Sequence, residues 1–133
     1  MNLDKNAEIS KADSCSEFLC IATFLPVRSW LDVIPFLRMA SRVEKHLKQT
    51  DGLIKYDLRA NLISKRFWTC SVWKDRASAN SFIASEPHAT AVRKFQKWAG
   101  TGAAFAEWNS SDGTLNWNEA LKRLQNPILP SGR

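Results

Sequence analysis

The stretch Arg66-Phe67-Trp68-Thr69-Cys70-Ser71-Val72-Trp73-Lys74-Asp75, followed by a polar helical segment and then Glu86-Pro87-His88, decides how this chain is read. Aromatic and β-branched residues alternate along it, so it is a strand with Phe67, Thr69, Ser71 and Trp73 on one face and Trp68, Cys70 and Val72 on the other. Both faces carry large groups, and both must be covered. The helical region that follows places His88 and Trp98 on its apolar side. A strand and helix of this kind can build a small buried pocket with few polar groups.

Working outward, residues 17–25 read as a buried strand closed by Pro26. Asp32 can cap a helix whose first turn accepts Pro35. In that helix Val33, Phe36, Ala40, Val43 and Leu47 recur at spacings of three and four, opposite Arg38, Arg42, Lys45 and Lys48. His46 lies among those lysines and is expected to face solvent. The helix stops near Asp51-Gly52, and residues 53–64 form a strand joined to the tryptophan strand, 65–74, through Asn61 or Ser64-Lys65. Asp75 or Ser78 starts the next helix, with Ala79, Phe82 and Ile83 inward. Ser85-Glu86-Pro87 interrupts it, and the helix that follows puts His88, Val92, Phe95 and Ala99 on one face with Trp98 beside them. Residues 103–109 read as a fourth strand, 110–113 as a loop and 117–124 as a terminal helix, while Pro127, Pro130 and Gly132 mark an untethered end.

The order is β-α-β-β-α-β with a helical tail, so the fold class is α+β and ferredoxin-like: an antiparallel sheet with helices on one face. Residues 1–16 are polar, patternless and expected to be a disordered tail; 17–109 form the ferredoxin-like domain, and 110–133 the C-terminal helix and tail. A sheet apolar on both sides needs a cover on its second face. A second copy packed sheet against sheet would supply it, so a homodimer is expected.

Composition narrows the setting. The 133 residues suit one domain, and 44% hydrophobic with 24% charged residues is ordinary for a globular protein. The net charge is +6, but the basic residues are scattered over helix faces in no run of five, and no nucleic-acid motif is present, so nucleic acid is not an expected partner. Cys15, Cys20 and Cys70 have no C-x-x-C spacing, and the opening residues lack the apolar core of a signal peptide. Reduced thiols and a cytoplasmic location are therefore expected. The longest apolar run, Phe18 to Val27, contains Thr23 and Pro26 and is shorter than the roughly 20 residues a membrane span needs.

The βαββαβ order, the strand ending in Val72-Trp73-Lys74-Asp75, the small-residue helix with Phe82 and the segment Ser85-Glu86-Pro87-His88 resemble the antibiotic biosynthesis monooxygenase superfamily over residues 17 to 109. That resemblance implies a dimeric α+β barrel. More narrowly, Val27-Arg28-Ser29-Trp30, Pro35-Phe36-Leu37, Phe67-Trp68-Thr69, Val72-Trp73, Pro87-His88 and Trp98 resemble a bacterial branch similar to spheroidene monooxygenase, a carotenoid oxygenase associated with heme. In the heme-degrading members of the superfamily an essential tryptophan and a heme-ligating histidine fall where this chain has Phe82 and Val92. The resemblance therefore disfavours canonical heme degradation, although a heme held by His88 in another geometry stays open. His88 matches a histidine found in many members that use no heme.

The candidate catalytic residues are His88, able to accept a proton at a helix N-terminus, and Arg28, whose planar fork can anchor a carboxylate or phenolate. Trp68, Thr69, Trp73, Phe82 and Trp98 are candidates to bind substrate, the indoles as aromatic walls and Thr69 as a hydroxyl. Each has an ordinary counterpart: a core histidine, an arginine paired with Asp32, indoles that fill the core. With two histidines and no carboxylate pair at ligand spacing, no protein metal site is expected. No phosphate loop, nucleotide fingerprint or nucleophile–base pair is present. Cofactor-free oxygenation of an electron-rich phenol or enol needs only a base, an apolar cavity and orientation. Two classes thus stay open: a monooxygenase-like enzyme acting on a hydrophobic aromatic or polyene substrate, or a non-catalytic module for small-ligand binding or stress on the same dimeric fold.

Overall fold

A computed structural model describes residues 17–126 and the backbone of 129–130; the expected disordered tail and Cys15 lie outside the described residues. The elements run β1 (Phe18–Pro26), α1 (Trp30–Lys48), β2 (Leu53–Asn61), β3 (Arg66–Trp73), α2 (Arg76–Ala84), α3 (His88–Trp98), β4 (Ala104–Ser110), α4 (Trp117–Leu124) and β5 (Leu129–Pro130). The sheet order is β2-β3-β1-β4-β5 with every pairing antiparallel, which is the ferredoxin-like arrangement plus one short edge strand. The chain end expected to be untethered is tied at that strand, where Phe105 pairs with Leu129 and Ala104 with Pro130.

Local chemistry sets the element boundaries. Ser29, not Asp32, caps α1: its hydroxyl accepts from the Leu31 amide at 3.1 Å. Asp32 sits within the first turn and binds Arg28 instead, Nε to Oδ2 at 2.9 Å. Pro35 consequently falls in the second turn and leaves the Leu31 carbonyl without its usual amide donor. Asp75 caps α2, accepting from the Ser78 amide at 2.8 Å, which holds its carboxyl below the ordinary range. Gly52 turns the chain between α1 and β2 at φ +90°, where a Cβ would lie 2.3 Å from the Ser78 hydroxyl.

The strand pleat then sorts side chains onto two faces. On the first, α1, α2 and α3 cover Leu19, Ile21, Phe67 and Trp73; Leu47, Ala79 and Phe82 complete one core cluster, and Val27, Val33 and Phe36 another. On the second, Cys20, Ala22, Cys70, Val72 and Ala106 are buried within this one chain. Their cover is α4. Ala120, with no exposed surface, rests against Ala22 and Cys70, flanked by Leu115, Trp117, Leu124 and Trp108. Trp117 is pinned by Nε1 to Asp57 Oδ2 at 2.8 Å and by the Arg59 guanidinium 4.5 Å from its ring centre. The bare second face, on which the expectation of a partner copy rests, is thus answered in large part by the chain's own terminal helix. What α4 leaves of it is the Phe24–Trp68 pair, stacked at 5.4 Å toward the β2–β3 turn.

Candidate functional site

Two aromatic rings and two histidines meet where α2 gives way to α3. Phe82, one turn before the break, lies 5.5 Å from Trp73, 5.1 Å from His88 and 5.4 Å from His46, which stacks on it at 16°. Ser85 ends α2, its hydroxyl donating to the Phe82 carbonyl at 2.9 Å. That hydroxyl therefore accepts from His46 Nε2 at 3.3 Å, which fixes the proton of His46 on Nε2. His46 is a correction to the sequence reading: it faces the α2–α3 junction, not solvent. Its signal in the sequence is the stripe Phe36, Met39, Val43, His46, spaced three, four and three, beside the stripe through Ala40 and Leu47.

His88 is the first residue of α3. Its Nδ1 lies 3.1 Å from the Ile83 carbonyl, and since a carbonyl only accepts, Nδ1 carries the proton. Nε2 is then an acceptor, with no hydrogen-bond partner among the described residues. Burial, partly offset by the bond to Ile83, pushes the His88 pKa below its ordinary 6.5, so the ring is neutral at pH 7. A neutral imidazole with one nitrogen fixed and the other open can take a proton from a ligand.

The remaining sequence candidates spread over the molecule. Trp73, 1% exposed, is core, and its indole N–H is satisfied by the Ser71 hydroxyl at 2.9 Å. Trp68 projects from the opposite sheet face, stacked on Phe24, so it cannot wall a cavity that holds His88. Thr69 stays on the helix face but bonds across β1 to Thr23, hydroxyl to hydroxyl at 2.6 Å. Trp98 packs on the cluster of Val27, Val33, Phe36 and Phe67 at the far end of α3. Arg28 lies at that same end, its amide bonded to the Trp98 carbonyl at 2.9 Å and its side chain 62% exposed on Asp32. Eleven residues of α3 separate this end from His88, roughly 15 Å at the helical rise. His88 and Arg28 do not form one site. Val92 is also misplaced in the sequence reading: it is 47% exposed, because the inward, half-buried stripe of α3 runs His88, Ala91, Phe95, Trp98.

Two surface clefts lie elsewhere and are lined by none of the seven candidates. One, of about 600 Å³, runs along β2 between Lys48, Tyr56 and Leu115. The other, of about 350 Å³, opens beside α4 over Cys20 and Cys70, rimmed by Trp108, Asp112 and Arg123. Both thiols are free. Burial raises both pKa values, that of Cys70 to about 12, so these are protonated and unreactive thiols. Among the described residues no three His, Cys, Asp or Glu side chains are grouped to hold a metal ion, and no helix is long and apolar enough to cross a membrane.

Comparison with protein-family models and with curated proteins finds no match. Solved structures do match. An antibiotic biosynthesis monooxygenase superposes with a TM-score of 0.62 at 15% identity, over 69% of this chain and 97% of its own. A conserved protein from Methanosarcina mazei Go1 gives 0.62 at 14% identity, over 71% and 93%. SnoaB, a cofactor-independent oxygenase from Streptomyces nogalater, gives 0.54 at 12% identity, over 69% and 90%. The chain therefore shares the fold of the antibiotic biosynthesis monooxygenase-like proteins, in line with the resemblance carried by its motifs.

Proposed function

We propose that this chain is a monooxygenase-like enzyme for a small hydrophobic substrate and that His88 is its proton acceptor. The observation that carries the reading is the His88 ring itself: half-buried, neutral, oriented by Ile83, with Nε2 unpartnered among the described residues beside the Phe82 ring. Nε2 takes the proton of a phenol or an activated methylene, and the resulting electron-rich anion reduces dioxygen without a cofactor. One oxygen atom enters the substrate as a carbonyl. The other leaves as water with the two hydrogens the substrate gives up, so electrons balance with no external reductant. Phe82, whose ring lies 5.1 Å from that of His88, provides the apolar contact beside the anion. SnoaB, on the same fold, is a cofactor-independent oxygenase, which is compatible with this chemistry. Arg28, at the far end of α3, has no part in the step.

Oxygen uptake with phenolic and anthrone-type substrates tests the reading. His88→Ala is expected to slow uptake about 100-fold or more while costing about 1–2 kcal/mol of stability. Because the folded pKa is lowered, the base form persists at pH 7, and the rate falls only as pH drops below 6.5. Stability follows the same sign: the unfolded chain binds this proton more readily, so the His88 contribution is complete above 6.5 and lost on acidification through the folded pKa. The second reading is a non-catalytic small-ligand-binding or stress-related module on the same dimeric fold. Ligand-induced quenching of tryptophan fluorescence without oxygen uptake by any substrate would favour it.

The homodimer belongs to the same proposal, seated on the Phe24–Trp68 remnant of the second sheet face. Sedimentation at micromolar concentration is expected to show a dimer that Trp68→Asp weakens. A stable monomer removes it. The free Cys20 and Cys70 thiols suit a cytoplasmic, reducing setting.

A further inference from the structure

At the end of the molecule away from His88, several large apolar side chains are exposed. On the first two turns of α1, Trp30 is 57% exposed, Leu31 88% and Ile34 60%; in the β2–β3 turn, Leu62 is 54% and Ile63 87%. Helical spacing makes Trp30, Leu31 and Ile34 one surface, since residues three and four apart are neighbours. The turn is held beside them, because the Lys65 carbonyl accepts from the Val27 amide at 2.8 Å and the Lys65 ammonium lies 5.2 Å from the Trp30 ring centre. A contiguous patch of this kind on a protein surface marks a contact with something.

Charge decides what it touches. Across residues 28–38 and 61–66 the ionisable side chains are Arg28, Arg38, Lys65 and Arg66, against Asp32 alone, and Asp32 is paired with Arg28. An apolar tip within a basic rim fits an anionic lipid surface: the aliphatic groups enter the acyl boundary, the indole sits at headgroup depth, and the cations meet lipid phosphates. A second copy docked symmetrically on the same patch would bring the basic rims together, which like-charge repulsion opposes.

We infer that the Trp30–Leu31–Ile34 and Leu62–Ile63 patch is a docking surface for an anionic bilayer. The inference stands apart from the chemistry at His88, which lies at the other end of α3. It is tested with the full chain by co-sedimentation with phosphatidylcholine vesicles, with and without phosphatidylglycerol. Binding is expected only with the anionic lipid, weakening as salt screens the rim. The double variant Leu31→Glu with Ile63→Glu is expected to lower vesicle partitioning roughly tenfold or more, because it removes the two most exposed apolar tips and adds repelled charge. Both side chains are at least 87% exposed, so the variant should melt as the parent does. Absence of binding to anionic vesicles, or equal binding by the double variant, overturns the inference. So does a parent dimer that the double variant dissociates, which would make the patch a self-contact.

Discussion

Trp73→Ala is expected to cost about 3–5 kcal/mol, the range for truncating a buried aromatic, and to leave much of the protein unfolded at ambient temperature. Its ring is 1% exposed and is the largest fully buried side chain among the described residues. It packs on Phe82 and joins Leu19, Ile21, Leu47 and Ala79, so its removal opens a cavity under α1 and α2 at once. Truncation also strips the Ser71 hydroxyl of its indole partner. Trp73→Phe keeps part of the volume but not that hydrogen bond and should cost less. Trp30→Ala is the internal control: the same residue type at 57% exposure should change stability by about 0.5 kcal/mol or less. Urea unfolding of the three variants gives the comparison directly. Equal effects at positions 73 and 30 would mean the core is not where it is described.

The contrast between buried and exposed tryptophans also shows what a sequence can convey. The alternation Phe67, Thr69, Ser71, Trp73 against Trp68, Cys70, Val72 is legible because strand periodicity is a local property, and by itself it puts Trp73 and Trp68 on opposite faces. Gathering Trp68 with His88 in one pocket conflicts with that same alternation. Helix stripes are legible in outline, but a stripe is wide. Val92 in place of Ala91, and His46 turned to solvent beside Val43, are errors of one residue's rotation, which sequence hydrophobicity does not resolve when alanine and histidine compete with valine. The separation of Arg28 from His88 depends on which end of α3 meets β1, a tertiary fact with no local signal. The placement of α4 is illegible for another reason. Its apolar positions Trp117, Ala120, Leu121 and Leu124 predict a helix with one buried side, but not which sheet face that side covers.

That placement makes the second large expected effect. A chain ending after Thr114 loses α4 and uncovers Cys20, Ala22, Cys70 and Val72, all now at 1% exposure or less. Four consequences are expected together: a lower melting temperature, sedimentation as a larger species than the full chain, pairing among β1 to β4 kept while β5 is lost, and reaction of both thiols with a water-soluble disulfide reagent. In the intact protein burial raises both thiols, that of Cys70 to about 12, so they should stay unreacted until the protein is denatured. Ala120→Glu reaches the same state without shortening the chain. Ala120 has no exposed surface and touches Ala22 and Cys70, so a carboxylate there must be desolvated without a partner or force α4 off the sheet. Undocking also releases Trp117 from Asp57 and Arg59, and the loss should be about 3 kcal/mol or more. Thiols that remain protected in both variants, with an unchanged melting temperature, would show that α4 is not what covers this face and that a second copy of the chain is.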